Sequence, residues 1–378
     1  MMAGFPERLS SNRMSIYREP KDISINGRFL TQKLSGVQRY SRELVTALDR
    51  LIQCEPLTLG RSRWRLLVPP GADPQFKLAT IAVVVVGTGN GHMWEQRHLR
   101  RAAAGTRLLN LGNSGPVLHR DKLVVIHDAA VYRTPSNFGT SYRIMHRLLG
   151  HLLAHTGQIG TVSEFSRREL AQVFGLREEA IGVVPNGCDH FVGRAQDAAV
   201  LKELGVDPGR YFLFVGNPAP NNNLAVLLAA FARLDRPGAK LVIAGSLDRA
   251  VFGGSGAAVG ANVVFAGGCS DAQVAALYAN AKAHVFPSVY EGFGIPPLEA
   301  MASGCPVIAS DIPVIREVCG DAVSYFAPHD VAALLSMLEH HWDSCSHRPE
   351  QKQAAAERLA QFTWHSSARR LIEAMCAP

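Results

Sequence analysis

The chain has 378 residues, 47% hydrophobic and 19% charged, a balance that fits packed globular domains and excludes a largely disordered chain. Its length suggests two or three domains, each with a core of its own. The net charge of +7 is uneven, with 25 Lys/Arg against 15 Asp/Glu in residues 1–190 and 14 against 17 in residues 191–378. A basic first half suits an anionic partner, a membrane surface or a phosphorylated substrate, or else is a solvated basic face. Nucleic acid is not expected, because the basic residues are dispersed and no recognised module appears.

In chain order, residues 1–21 read as a flexible extension, with charges and no apolar segment of the kind a secretory signal carries. Strand candidates then alternate with helical stretches. "DISIN", "RWRLLVPP", "TIAVVVVG", "KLVVIHD", "IGTVS" and "IGVVPN" come first, and "YFLFVGN", "KLVIAGS", "NVVFAG", "AHVFPS" and "PVIASD" follow. Amphipathic patterns such as "VQRYSRELVTALDRLI", "SRRELAQVFG", "LAVLLAAFARL" and "DAQVAALYANA" supply the helices. Repeated strand–helix–strand order implies an α/β protein with parallel sheets covered on both faces. Two such blocks imply two doubly wound, Rossmann-like domains facing across a cleft. The expected division is 22–190 and 191–361, with a linker near 188–200. A C-terminal helix over about 362–378 would cross back onto the first domain after a bend at Phe362–Trp364.

The seven cysteines include no C-x-x-C pair, which suits reduced thiols in the cytoplasm better than a disulfide framework or a zinc site. Neither H-E-x-x-H nor D-x-D occurs, so no metal and no other cofactor is expected. No apolar run reaches the roughly 18–20 residues needed to span a bilayer.

In doubly wound domains, residues just after strands lead the list of site candidates. "VVVVGTGNGH" resembles a dinucleotide fingerprint, yet His92 stands where the third glycine belongs and no acid closes a following strand, which argues against nicotinamide or flavin. In "YFLFVGNPAPNNNL" a strand ends at Gly216 and Asn217, and Asn221 and Asn222 precede a helix. That is a phosphate-holding turn without a cation. "SVYEGFGIPPLEAMASGCPVIASD" is more specific. Glu291, Gly292, Phe293, Gly294 and Ile295 form a glycine-flexible turn into a helix start at Pro296 and Pro297, with Glu299 in the first helical turn. Carboxylates flanking an anion site suit a sugar nucleotide, which has hydroxyls on both sides of a diphosphate. The plainer roles are helix-dipole stabilisation for Glu299, about 0.3–1 kcal/mol, and a solvated loop acid at Glu291.

This segment resembles the donor-binding signature of glycosyltransferase family 4, retaining enzymes of the GT-B fold, and is similar to bacterial surface-polysaccharide mannosyltransferases. "GVQRYSRELVTAL", "LVVIHDAAVY", "TVSEFSRREL", "VVPNGCD" and the stretch from "FAGGCSDAQVAALY" through "REVCGDAVSYFAP" extend the resemblance over most of the chain. It implies that Glu291 holds hydroxyls of the donor sugar and Glu299 the ribose, while the backbone of Phe293, Gly294 and Ile295 meets the phosphates. His127 would project onto the donor sugar, Gly36 would close its loop over the diphosphate, and Asp128 would fix the loop after His127. The implied reaction moves a hexose from a sugar nucleotide, with GDP-mannose the first choice, to a glycan or lipid-linked glycan. It would proceed without a metal, and the basic domain would touch the anionic inner face of the plasma membrane. Where the family commonly has a basic pair, this chain has Asn221 and Asn222. Either Lys33, Arg39 or Arg249 replaces the lost charge, or the donor is held differently, or the chain is a weak relative. A non-catalytic sugar-nucleotide-binding protein, or a nucleotide-sugar epimerase on the same fold, is the alternative.

Overall fold

The computed structural model describes residues 21–217, 219–245, 260–343 and 349–376. Most of the expected extension, and Arg249, lie outside those residues. One sheet contains β1 (Ile23–Asn26), β2 (Trp64–Val68), β3 (Ala82–Val85), β4 (Arg107–Asn110), β5 (Lys122–Val125), β6 (Gln158–Thr161) and β7 (Ile181–Val183). The other contains β8 (Tyr211–Val215), β9 (Lys240–Ala244), β10 (Val263–Gly267), β11 (Ala283–Phe286), β12 (Val307–Ser310) and β13 (Ser324–Phe326). Their orders are β3-β2-β1-β4-β5-β6-β7 and β10-β9-β8-β11-β12-β13. Every recorded pairing is parallel, for example Ile25 beside Leu66 and Leu109, and His284 beside Val307 and Leu213.

In each sheet the chain steps outward in one direction and then jumps back across its first strand. The order therefore reverses between β1 and β4 and between β8 and β11, which opens a crevice at the carboxyl ends of those pairs. Helices cover both faces, so central strands are buried throughout, as β5 and β11 are. The Gly36–Cys54 helix buries Tyr40, Leu44, Leu48 and Leu51, an apolar stripe at helical spacing. It packs on the Trp364–Cys376 helix, which also meets β7 of the first sheet. The preceding helix ends at Gln361, so the chain breaks at 362–363. All six described cysteines are free thiols.

Two strands lie outside the sequence expectation. β4 is the centre of the first sheet, yet "RLLN" offers only two apolar residues between an arginine and an asparagine. Its Asn110 is fully buried because it accepts from Asn26 Nδ2 at 3.1 Å. β13 is a three-residue edge strand, too short to show a period.

Candidate active site

Two adjoining cavities of about 310 and 420 Å³ open between the sheets. Gly36, Val215, Gly216, Asn217, Ile295 and Pro296 border both. The smaller cavity is walled by His127, Asp128, Glu291 and Gly292, the larger by Arg39, Asp271 and Glu299.

The wall between them is made of backbone. Gly294 has φ 97°, and a Cβ there would lie 2.6 Å from Ile315 Cδ1, so glycine is required twice over. Among the described residues no acceptor pairs with the N–H groups of Gly292, Phe293, Gly294 or Ile295. Facing them, Gly36 opens a 19-residue helix whose first backbone bond is Arg39 N to Ser35 O at 2.8 Å. Its N–H groups at Gly36, Val37 and Gln38 likewise lack acceptors among the described residues. Two helix N-termini, each worth roughly half a positive charge, thus border one space.

In the smaller cavity, His127 is buried and its Nε2 donates to Leu111 O at 2.9 Å. A carbonyl only accepts, so the proton sits on Nε2 and Nδ1 is an acceptor. Burial lowers the imidazole pKa to about 4, only partly offset by the Leu111 bond, and the ring stays neutral near pH 7. Half-buried Glu291 moves the other way. Burial raises its pKa to about 7, a hydrogen bond from Ser288 opposes the rise, and the charge of Asp128 adds to it. Asp128 accepts from Ala130 N at 2.8 Å and fixes the loop after β5. The two domains meet here. Gly292 O accepts from Ser163 Oγ at 2.7 Å, while Ser166 Oγ lies 3.0 Å from both Gly292 O and His127 O. Glu317 accepts from Glu164 N and Phe165 N at 2.7 and 2.8 Å, and so caps a first-domain helix from the second domain.

In the larger cavity, Glu299 Oε1 accepts from His190 Nε2 at 3.1 Å and lies 3.7 Å from Arg39 Nε. Trp364 Nε1 donates to His190 Nδ1 at 3.0 Å, which fixes the tautomer that points Nε2–H at the carboxylate. Both contacts fall on Oε1, and Oε2 has no partner among the described residues. A hydroxyl pair could be held there.

The asparagine turn differs from its expected role. Asn222 Nδ2 donates to Asn217 O and Oδ1, both at 2.9 Å, so its two amide hydrogens are used. Asn221 Nδ2 donates to Tyr290 O at 3.2 Å, and Asn223, at φ 51°, donates to Pro287 O and Pro328 O. Asn221 and Asn222 line the cavity, but their amides pin this turn and the loop after β11 instead of waiting for a phosphate. Arg39 is committed as well: its guanidinium spans Asp271 at 2.9 and 2.5 Å. Lys33 is exposed on the loop before Gly36. Among the described residues, Arg39 is thus the one of the three expected cations that lines the cavities, and it is paired to Asp271.

Sequence reasoning passed over Ser163, His190, Asp271 and Trp364, which act only through contacts between distant segments. It also passed over Asn186, just after β7, which lines the smaller cavity 2% exposed with its Oδ1 unpartnered among the described residues. Its place after a strand was the one available signal.

Two doubly wound parallel sheets facing across a cleft define the GT-B class of α/β proteins. Known proteins agree. The glycosyltransferase WaaG, involved in lipopolysaccharide biosynthesis, superposes with a TM-score of 0.70 at 15% identity, covering 94% of this chain and all of that one. Residues 200–358 match the family of glycosyl transferases group 1. O-antigen chain mannosyltransferase B of Escherichia coli is 29% identical over 270 residues, 67% of this chain and 69% of that protein. O-antigen chain mannosyltransferase RfbU of Salmonella typhimurium is 29% identical over 249 residues, 65% of each. Residues 200–358 thus form a glycosyl transferases group 1 domain, set in a chain with the GT-B fold of known glycosyltransferases.

Proposed function

We propose that the chain is a retaining glycosyltransferase of family 4 that moves mannose from GDP-mannose to a glycan or lipid-linked glycan in surface-polysaccharide synthesis. The carrying observation is the wall of four N–H groups, without acceptors among the described residues, between Glu291 and Glu299 and opposite the Gly36 helix terminus. The names of the two mannosyltransferase relatives support the sugar.

In this reading the diphosphate lies on the wall, Glu299 Oε2 holds the ribose, and Glu291 with His127 Nδ1 holds hydroxyls of the transferred sugar. A nucleoside diphosphate is a good leaving group, so the main task is to stabilise its growing charge and orient the acceptor. Backbone N–H groups and two helix termini do that without a metal. Retaining glycosidases set carboxylates about 5–5.5 Å apart across the bond, one of them a nucleophile. Here both glutamates serve the donor, which favours front-side attack through an oxocarbenium-like state. The acceptor oxygen bonds to the anomeric carbon as the phosphate oxygen leaves and takes the acceptor proton.

Peripheral contact with an anionic membrane belongs to the same proposal. The Thr140–Thr156 helix exposes Ile144, Met145, Leu148 and Leu152, carries Arg143 and Arg147, and contains no acid. Among the described residues no helix is long and apolar enough to cross a membrane.

A second reading, donor binding without transfer, draws on Arg39 being the single Arg or Lys among the described residues that line the two cavities, already paired to Asp271. Calorimetric titration with GDP and GDP-mannose, wild type against Glu299→Ala, tests the site. Loss of a charged hydrogen bond should weaken binding about 10- to 100-fold. Absence of binding across a panel of nucleoside diphosphates, or an unchanged Glu299→Ala affinity, would sink the assignment.

A further inference from the structure

Arg39 lies in the first turn of the Gly36–Cys54 helix and reaches across the cleft to Asp271, which opens the Asp271–Asn280 helix of the second domain. Its guanidinium takes both carboxylate oxygens, at 2.9 and 2.5 Å. Asp271 also has a second cation, because Arg194 Nη2 lies 3.1 Å from its Oδ2. One carboxylate thus serves two arginines. Both guanidinium groups also lie near the ring of buried Phe191, 6.0 and 5.7 Å from its centroid. The Asp271 end is rigid, since Ser270 and Gln273 close a capping box around it.

The pair stands beside the space between the two helix N-termini. Gly36 and Arg39 are three residues apart on one helix, so they share a face, about 4.5 Å apart along the axis. Gly36 puts no side chain over Arg39, and a Cβ built there would meet nothing within 4 Å. Open space therefore joins the arginine to the cavity that Gly36, Ile295 and Pro296 border. The flexible arginine stem can carry its head from Asp271 to an anion at Gly36 with the backbone fixed.

Charge would draw it there. A diphosphate is more negative than a carboxylate that Arg194 already shares. Releasing Arg39 does not strand Asp271, because Arg194 stays beside it and the N-terminus of its own helix favours an anion. A static clasp between the domains would need neither the second arginine nor the open space. We infer that Asp271 is an internal competitor of the diphosphate: it stores Arg39 until a diphosphate arrives, yields it, and keeps Arg194 as its counter-ion. The handover brings the phosphates a cation from the first domain, and it rests on the reading that the cleft takes a diphosphate. It also makes the Arg39–Asp271 pair a brake on donor binding, since the pair must break before the arginine can serve.

Calorimetric titration of the full chain with GDP, inorganic pyrophosphate and guanosine tests the handover. Arg39→Gln should weaken GDP and pyrophosphate about 10- to 100-fold and leave guanosine within about twofold of wild type, while Arg39→Lys recovers part of the loss. Asp271→Asn, which frees Arg39, should strengthen both anions about 3- to 10-fold. Arg194→Gln, which leaves Asp271 a single partner, should weaken both about 3- to 10-fold. In the double variant Arg39→Gln/Asp271→Asn the gain should vanish, because no arginine is left to free. A structural clasp predicts the opposite sign for Asp271→Asn, a looser cleft and weaker GDP. Weaker or unchanged GDP binding in Asp271→Asn, or an unchanged GDP affinity in Arg39→Gln, overturns the handover and leaves the donor site standing on Glu299. No binding of GDP or pyrophosphate to wild type overturns both this inference and the donor reading. Pyrophosphate binding that shifts as described, in a chain that binds no nucleotide, would sink the donor reading and spare the handover.

Discussion

Gly292→Ala is the smallest change that should disable this protein. The added Cβ would stand 2.4 Å from His127 O and 3.1 Å from Asp128 Cβ. Ordinary contact begins at 3.4 Å, so one side must retreat by about 1 Å. His127 O is backbone and lies 3.0 Å from Ser166 Oγ, so it cannot swing aside as a side-chain tip would. Overpacking of this kind costs about 1–3 kcal/mol. Because the clash lies between domains, the strain relieves itself by parting the cleft where Glu291 and His127 face each other, with both cores left intact. A misplacement of about 1 Å at a reaction centre can cost on the order of 100-fold, so kcat/KM for transfer should fall about 10- to 100-fold. GDP affinity, held by the wall and Glu299 together, should fall by less than kcat/KM does, and Tm only slightly. Gly60→Ala is the control, its nearest atom being Pro56 Cβ at an ordinary 3.6 Å. Wild-type kcat/KM in Gly292→Ala would refute the closed geometry described here.

Three further outcomes follow from particular contacts. Trp364→Phe keeps a ring near Tyr40, now 5.9 Å away, but removes the donor that fixes His190. Donor KM should rise about 3- to 10-fold with kcat nearly unchanged, and an unchanged KM would show that the Trp364–His190–Glu299 chain positions nothing. Asn222→Lys forfeits both bonds to Asn217, so steady-state turnover should fall about 3- to 10-fold; a gain would mean the turn had lacked a cation after all. Glu291 has a folded pKa raised from 4.5 to about 7 by burial. The stability this protonated acid contributes is complete below pH 4.5 and lost as pH rises through 7. Glu291→Gln should therefore exceed wild type by about 1–3 kcal/mol in urea denaturation at pH 8 and match it at pH 4. Equal stability at both would place the carboxylate in water.

The doubly wound scaffold was legible because its central strands are short apolar runs bounded by glycine, proline and asparagine, as in "YFLFVGN" and "AHVFPS". β4 escaped because its burial depends on Asn110 finding Asn26, a pairing between segments 84 positions apart. The same distance effect governs the site. Gly294 and Glu299 share one turn and one helix, so local sequence reveals them. Glu299 also depends on His190 and Trp364, which arrive from the chain between the sheets and from the C-terminal helix, and no local pattern reports that. "NNNL" misled for a physical reason: asparagine suits a phosphate and suits pinning a turn equally well, and only the partners at Asn217, Tyr290 and Pro287 decide between them. In the proposed reading, the charge sought in that turn comes from backbone instead, at the two helix ends that border the cavities.

The most direct test of the account is the product of a single reaction. Purified chain, GDP-α-mannose and a mannose-terminated oligosaccharide should yield a new α-linked mannoside, read from the one-bond C–H coupling at its anomeric carbon. EDTA should leave the rate unchanged, and Glu299→Ala should lower kcat/KM about 10- to 100-fold. A β-linked product would contradict retention, and no transfer from any sugar nucleotide despite tight binding would make the protein a donor-binding relative.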